Sequence, residues 1–202
     1  MHRTKAALGA LLLAGVLASG ACATGTDAVV QGETFEFVSP DGKLEIHYDL
    51  PAERKPVAEL AGPDLMDPDR TLNVQEDFAG QVVILNLWGQ WCGPCRAESD
   101  DLQRLQEEFE PRGATVFGIN LRDPNRQKPV DFVKDNGITY PSIWDPSNAA
   151  VAALRGFPTS VVPATLILDK QHRVAAVYLA EITDDKLQET VTALLAEEVE
   201  PV

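Results

Sequence analysis

Continuous apolar runs alternate along this chain with segments in which apolar residues recur at helical spacing. The runs at 82–88 and 114–120 are rich in β-branched residues, which is typical of strands that are buried on both faces. Between them, residues 96–109 carry apolar side chains at intervals of three and four among charged ones, which predicts an amphipathic helix. The pattern therefore indicates strands that are connected by helices.

The second half of the chain continues this alternation. It predicts a helix over about 125–136, a short helix over 148–154, strands over 164–168 and 173–178, and a last helix that begins at Thr183. The last two strands flank Asp169 and form a terminal hairpin. Strands and helices that alternate and end in a hairpin predict an α/β fold, a mixed β-sheet with helices on both faces.

The residues before this region predict an extension. Residues 35–38 and 44–48 alternate in polarity around Asp41 and Gly42, which predicts an N-terminal β-hairpin. The Pro- and Asp-rich stretch 51–70 is typical of a linker or an irregular wrap. We therefore predict an extension and linker over 22–70 and an α/β domain over 71–202.

The first 21 residues are typical of a bacterial export signal. Arg3 and Lys5 precede an uncharged segment with an apolar centre, and we exclude this signal peptide from the fold. Small residues then lead to Cys22, as in a lipoprotein signal, although Ser19 stands where leucine or valine is preferred. The prediction is a lipid anchor on Cys22, at the outer face of the cell membrane. The alternative is cleavage after Ala21 or Ala23, which releases a soluble extracytoplasmic domain.

The charge of the chain excludes some partners. Its formal net charge is −14 at pH 7, so electrostatics disfavour nucleic acid and anionic lipid surfaces as ligands. We therefore predict no nucleic acid among its partners, and any membrane association depends on the lipid anchor.

Cys92 and Cys95 are separated by two residues at the point where a strand is followed by a helix. The helix N-terminus favours a thiolate, which is the form that attacks a disulfide. Zinc would need four ligands, whereas the one remaining cysteine is Cys22 and the histidines are isolated. A structural disulfide would close a very small ring and constrain the unfolded chain little. The sequence therefore favours a redox pair and no metal site.

Two motifs resemble those of a known family. The run from Asn86 to Glu98, which includes Trp-Cys-Gly-Pro-Cys, resembles the TlpA/ResA-like extracytoplasmic branch of the thioredoxin superfamily. The run from Val162 to Asp169 is similar to the cis-proline loop of that family and the strand after it. The resemblance covers roughly residues 72–195. It implies a thioredoxin-like fold and a thiol-disulfide oxidoreductase.

The resemblance also implies roles for particular residues. Cys92 would attack a substrate disulfide and Cys95 would resolve the mixed disulfide, so that this redox-active disulfide replaces any cofactor. Pro163 would be cis and abut the pair, and Val162 would offer backbone groups to an extended substrate. Trp91 would form an exposed apolar lip around Cys92.

Two further features of the active-site run concern contact with the substrate and removal of the proton from the second cysteine. We expect Gly93 and Pro94, between the cysteines, to contact the substrate. Asn86 stands where cytoplasmic thioredoxin has a buried aspartate, so the proton of the second cysteine needs another acceptor. The candidates that we consider are Glu98, Asp123 and Asp145.

The function implied by the resemblance is reduction of protein disulfides, such as those of apocytochrome c during cytochrome c maturation. Its electrons would come from a membrane thiol-reductant transporter of the CcdA/DsbD type. One alternative is the opposite direction, an oxidant that forms disulfides in secreted proteins. Another is a Sco-like copper-binding protein, although that family spaces its cysteines by three residues and adds a histidine, for which this chain offers His172.

Overall fold

The computed structural model describes residues 34–38 and 42–198. The predicted signal peptide, the lipidation site at Cys22 and residues 39–41 of the predicted hairpin turn lie outside the described residues. None of the helices within the described ranges combines the length and the apolar character needed to span a membrane.

The described residues form eight strands and four α-helices, together with short 3₁₀ turns at Pro51–Glu53, Glu110–Arg112 and Ala150–Ala153. In chain order the elements are β1 (Glu45–His47), β2 (Ala61–Pro63), β3 (Thr71–Asn73), α1 (Val74–Asp77), β4 (Val82–Trp88), α2 (Gly93–Phe109), β5 (Ala114–Leu121), α3 (Gln127–Asp135), β6 (Ser142–Asp145), β7 (Ala164–Leu168), β8 (Val174–Tyr178) and α4 (Asp184–Ala196).

The main sheet has six strands in the order β1-β8-β7-β4-β5-β6. β4 is parallel to β5 and antiparallel to β7, which confirms the predicted mixed sheet. Leu87 near the end of β4 pairs with Ala164 at the start of β7, and Trp88 pairs with Asn120 near the end of β5. The ends of β4 and β5 and the beginning of β7 therefore meet at one edge of the sheet.

Helices cover both faces of this sheet because alternate residues of its buried strands point to opposite sides. On one face, Ile84 belongs to a core cluster with Leu102 of α2 and Leu187 of α4. On the other face, Leu85 belongs to a cluster with Val74 of α1 and residues of the 3₁₀ turn at 150–153. The predicted fold class is confirmed, although the short helix expected near 148–154 is a 3₁₀ turn.

The predicted N-terminal hairpin is wrong in its pairing. β1 lies antiparallel to β8, whereas Glu36 forms an isolated bridge with Arg155. The edge of β8 offers β1 unpaired backbone groups, and Phe37 packs its ring on Phe157 with centroids 4.9 Å apart. Long-range partners thus replace the local pairing across Gly42.

The stretch 51–70 is more ordered than the predicted linker. It contains β2, which pairs with β3, and it buries the side chains of Val57, Leu60 and Leu65. Burial of each such apolar side chain contributes about 1.5–3 kcal/mol, which explains why this Pro-rich segment is held on the core.

Candidate active site

The cysteine pair lies where the buried strand β4 passes into α2. Cys92 is the N-cap of α2, and its Sγ accepts a hydrogen bond of 3.2 Å from the backbone N–H of Cys95. The two sulfur atoms are joined in a disulfide of 2.08 Å. Cys92 is 4% exposed and Cys95 is 2% exposed. The first turn of α2 therefore directs a backbone N–H, that of Cys95, at the sulfur of Cys92.

Val162 and Pro163 lie against this pair. Their peptide bond is cis, and the carbonyl oxygen of Val162 is 3.8 Å from Sγ of Cys92. Pro163 is buried directly before β7, which runs antiparallel to β4 and so begins at the edge where β4 ends. The structure thus brings together four of the predicted site residues.

Trp91 forms the exposed side of the site, with 44% of its surface accessible. Its Nε1–H donates to the carbonyl oxygen of Leu121 at 2.9 Å. The indole lies so close to Gly89 that a Cβ there would be 2.5 Å from Nε1. Gly93 and Pro94, between the cysteines, are also exposed. The surface around the disulfide therefore combines a fixed aromatic ring with open backbone.

Beneath the cysteines lies a buried carboxyl group, that of Glu98. It is three residues after Cys95 and so shares a helix face with it, and it is only 1% exposed. Its Oε1 accepts a 2.8 Å hydrogen bond from Nδ2 of Asn86, and its Oε2 accepts one of 3.1 Å from the N–H of Ile182. Asn86 Nδ2 also donates to Thr165 Oγ1 at 3.0 Å, which links α2 through β4 to β7.

The environment of Glu98 changes its acidity. Burial raises the pKa of Glu98 to about 7, although the hydrogen bonds from Asn86 and Ile182 oppose the shift. Desolvation disfavours the carboxylate more than these two donors favour it. Glu98 therefore exchanges a proton near neutral pH, as a proton acceptor for a buried thiol must.

The other predicted proton acceptors have structural roles. Asp123 Oδ2 accepts hydrogen bonds from the N–H of Gln90 and from Nδ2 of Asn120, which holds the loop before Cys92. Asp145 accepts three backbone N–H groups, those of residues 149–151, and so caps the 3₁₀ turn there. Of the three candidates, only Glu98 lies on the helix that carries the cysteines.

His172 does not approach the cysteines. It lies in the turn between β7 and β8, at the end of β7 opposite to Pro163. Its Nε2 is 3.0 Å from the carbonyl oxygen of Phe78. The geometry therefore gives no support to a copper site shared by His172 and the cysteine pair.

Sequence reasoning missed two residues of the site. Thr165 was assigned only to a strand, and its contact with Asn86 depends on the pairing of β4 with β7. Arg122, whose guanidinium lies over the Trp91 ring at 4.3 Å from its centroid, follows β5 with nothing in its sequence context to single it out. The parallel pairing of β4 and β5 brings it to the site.

This arrangement agrees with the comparisons with known proteins. The model of the AhpC/TSA family matches residues 56–177, which include the cysteine pair and the cis-proline. The chain belongs to the AhpC/TSA family. Known proteins that are similar to it include a thiol:disulfide interchange protein DsbE from Allochromatium vinosum, which is 35% identical over 60% of this chain. A thiol-disulfide oxidoreductase ResA from Geobacillus thermodenitrificans is 26% identical over 56%.

This AhpC/TSA family member is also similar to a solved structure, and that match covers more of both chains. The secreted thiol-disulfide isomerase from Corynebacterium glutamicum is 51% identical, with a TM-score of 0.78, and the match covers 81% of this chain and 99% of that one. By contrast, the chain spans 63% of the length of the DsbE and of the ResA. Together the comparisons show that the domain is thioredoxin-like and of the DsbE/ResA thiol-disulfide oxidoreductase type.

Proposed function

We propose that the whole protein exchanges disulfides with polypeptides outside the cytoplasm, with Cys92 as the attacking residue. The observation that carries this proposal is the position of Cys92 as the N-cap of α2, beside the cis-proline loop. The thiolate of Cys92 attacks a substrate disulfide, breaking that bond and forming a mixed disulfide. The thiolate of Cys95 then attacks Cys92 Sγ, which releases the substrate dithiol and leaves the pair oxidised.

Two groups assist these steps. The first-turn N–H groups of α2 and the positive end of its dipole stabilise the thiolate of Cys92. Glu98 accepts the proton of Cys95 before Cys95 attacks, because it shares a face of α2 with that cysteine and has a pKa of about 7.

The substrate binds as an extended segment across the disulfide. Its backbone pairs with that of Val162, which Pro163 holds against the cysteines. Gly93 and Pro94 leave room for the approaching chain, and Trp91 offers an apolar surface beside the target sulfur. This binding depends on backbone groups and therefore admits many disulfide-containing proteins.

The direction that we propose first is reduction, with apocytochrome c as a substrate during cytochrome c maturation. Its support is the resemblance to DsbE and ResA and the Gly93–Pro94 dipeptide, which resembles that of reducing members. After each turnover the disulfide must be reduced again, and a membrane transporter of the CcdA/DsbD type would supply the electrons.

A second candidate is disulfide formation or rearrangement in secreted proteins. It is favoured by the 51% identity to a secreted thiol-disulfide isomerase, which exceeds the identity to DsbE or ResA. The equilibrium reduction potential separates the candidates. We expect a value near the −270 mV of thioredoxin for a reductant, whereas a value near −120 mV, as in a strong oxidant, contradicts reduction.

The attack by Cys92 is tested with the variant Cys95→Ser. Without the resolving thiol, the mixed disulfide on Cys92 should persist, and mass spectrometry of the trapped adducts identifies the substrates. The matched variant Cys92→Ser should trap far less. If adducts fail to accumulate on Cys92, or accumulate equally on Cys95, the assignment of the attacking residue is wrong.

The proposed location is the outer face of the cell membrane, with a lipid on Cys22. Its support is the apolar segment before Cys22 and the resemblance to a secreted protein. We expect Cys22→Ser to move the protein from the membrane fraction to the soluble extracytoplasmic fraction. A variant that stays in the membrane fraction contradicts lipidation at this residue.

A further inference from the structure

Arg122 lies at the rim of the site, beside Cys92. Its guanidinium stacks on Trp91 but has no polar partner in the described residues. Cζ of Arg122 lies 4.3 Å from the centroid of the Trp91 ring. Within residues 34–38 and 42–198, no side chain forms an ion pair with Arg122 and its side chain donates no hydrogen bond. Arg122 is exposed, so its N–H donors face the solvent next to the disulfide.

The backbone holds Arg122 in an uncommon conformation. Its φ is +56°, in the left-handed region that long side chains rarely adopt. Its partner ring is also fixed, since Trp91 donates to Leu121 and lies against Gly89. Backbone strain of this kind is concentrated at functional sites, where the surrounding structure maintains it. The surrounding structure therefore holds Trp91 and Arg122 in their stacked arrangement at the rim.

The sheet places this pair opposite the cis-proline loop. Pro163 precedes β7 and Arg122 follows β5, so they lie on the two sides of β4, which leads to Cys92. Neighbouring strands are about 4.8 Å apart, so β7 and β5 are separated by about 10 Å, or about three residues of extended chain. A substrate that pairs with Val162 and reacts with Cys92, between these two strands, would reach Arg122 with a side chain that lies within about three residues of its cysteine.

Other charged groups near the rim are already engaged. Arg96 donates to the carbonyl oxygen of Gln90, and Arg126 donates to the carbonyl oxygen of Leu65. The carboxylate of Asp123, next to Arg122 in sequence, is buried and accepts the N–H of Gln90. Arg122 thus presents an available positive charge on a chain whose net charge is −14.

From this geometry we infer that Trp91 and Arg122 recognise an acidic side chain within about three residues of the substrate's target cysteine. The inference rests on the proposed function, since it concerns the substrate of the same site. A carboxylate matches the paired N–H donors of a guanidinium, and the indole orients that guanidinium from below. Recognition of this kind adds a sequence preference to binding that otherwise uses backbone groups.

The test uses peptide disulfides that are identical except for Glu, Gln or Lys within three residues of one cysteine. Reduced protein should react about threefold faster with the Glu peptide than with the Gln peptide at low salt, and high salt should abolish the difference. Arg122→Gln should remove the preference, so that the Glu and Gln peptides react at equal rates. Arg122→Glu should instead favour the Lys peptide.

Arg112 provides a matched control, because its guanidinium lies over the ring of Phe109 at 4.5 Å but beyond the far end of α2. Arg112→Gln should keep the preference for the Glu peptide. A wild-type protein that reacts equally with all three peptides, or an Arg122→Gln variant that keeps the preference, overturns the inference and leaves the proposed function standing. Failure to reduce any peptide overturns both.

Discussion

At the scale of single residues, Glu98 shows how burial sets chemistry. The same side chain on an exposed helix face would be an ordinary carboxylate. Here it lies between α2 and β4, and two donors, from Asn86 and Ile182, take the place of water around the carboxyl group. The desolvation outweighs these hydrogen bonds and raises the pKa of Glu98 to about 7.

This shift predicts a pH dependence of stability. Because the pKa of Glu98 in the folded state lies above its ordinary value of 4.5, the folded state holds the proton more tightly than the unfolded state. Its stabilising effect is complete below about pH 4.5 and is lost as the pH rises through 7. The free energy of unfolding of the oxidised protein should lose roughly 2–3 kcal/mol from this group.

The measurement is urea denaturation at pH 5 and pH 8 for the wild type and for Glu98→Gln. The variant should show a smaller loss between the two pH values, since its amide does not ionise. Glu76→Gln, which changes an exposed carboxylate, is the control and should keep the wild-type loss. Equal losses in the wild type and Glu98→Gln would contradict the assignment.

At the scale of elements, the parallel strands beside the site approach too closely for a side chain at Gly118. A Cβ there would lie 2.2 Å from Oγ of Ser142 in β6 and 2.8 Å from Nε1 of Trp88 in β4. Trp88 is the last residue of β4, so the space that Gly118 leaves is occupied by the indole at the strand end that leads to Cys92. Glycine at this position therefore allows the strands to pack.

We expect Gly118→Ala to lower the free energy of unfolding by about 1–3 kcal/mol, because the added methyl group overpacks the core. Ser142→Ala should have a small effect, since the buried Oγ of Ser142 has no hydrogen-bond partner in the described residues. The double variant should recover part of the loss, as thermal or urea denaturation would measure. A double variant as unstable as the sum of the single ones would refute the steric explanation.

At the scale of the whole molecule, a buried ion network joins segments that are far apart in sequence. Arg54, in the stretch predicted as a linker, pairs with Asp169 in the turn between β7 and β8 and with Glu197 after α4. The side chains of Arg54 and Asp169 are 4% and 2% exposed. Arg54 also donates to the carbonyl oxygens of Tyr48 and Asp49.

Removal of this guanidinium should destabilise the fold. Breaking a buried pair costs about 3–5 kcal/mol, and we expect about 2–3 kcal/mol for Arg54→Met because Asp169 keeps its ion pair with Arg173. The control is Arg104→Met, which removes the ion pairs of an exposed guanidinium with Asp101 and Asp184 and should cost less than about 1 kcal/mol. Similar losses in the two variants, measured by urea denaturation, would contradict the role of the network.

Much of the fold follows from local pattern. The continuous apolar runs predicted β4 and β5, and the spacing of apolar residues predicted α2. The residues of the two motifs singled out Cys92, Cys95 and Pro163. These features depend on residues that are close in sequence, because periodicity, the switch from strand to helix and the motif itself all lie within short windows.

The pairing of distant segments could not be obtained in this way. Residues 44–48 were expected to pair across a nearby turn, yet β1 pairs with β8, whose edge away from β7 offers backbone hydrogen-bonding groups. The stretch 51–70 looked like a linker, yet the core buries Leu60 and Leu65. Composition does not reveal which surface a segment will meet.

Short windows of sequence were enough to predict which sulfur atoms form the disulfide, because two cysteines with two residues between them lie close together and a helix follows them. The environment of Glu98, on which its proposed role as proton acceptor depends, and the surface around the pair came to light with the folded structure alone. The acidity of Glu98 depends on the removal of water by other elements, and Arg122 reaches Trp91 because β5 ends beside β4. Desolvation and strand order are properties of the folded chain that no short window contains.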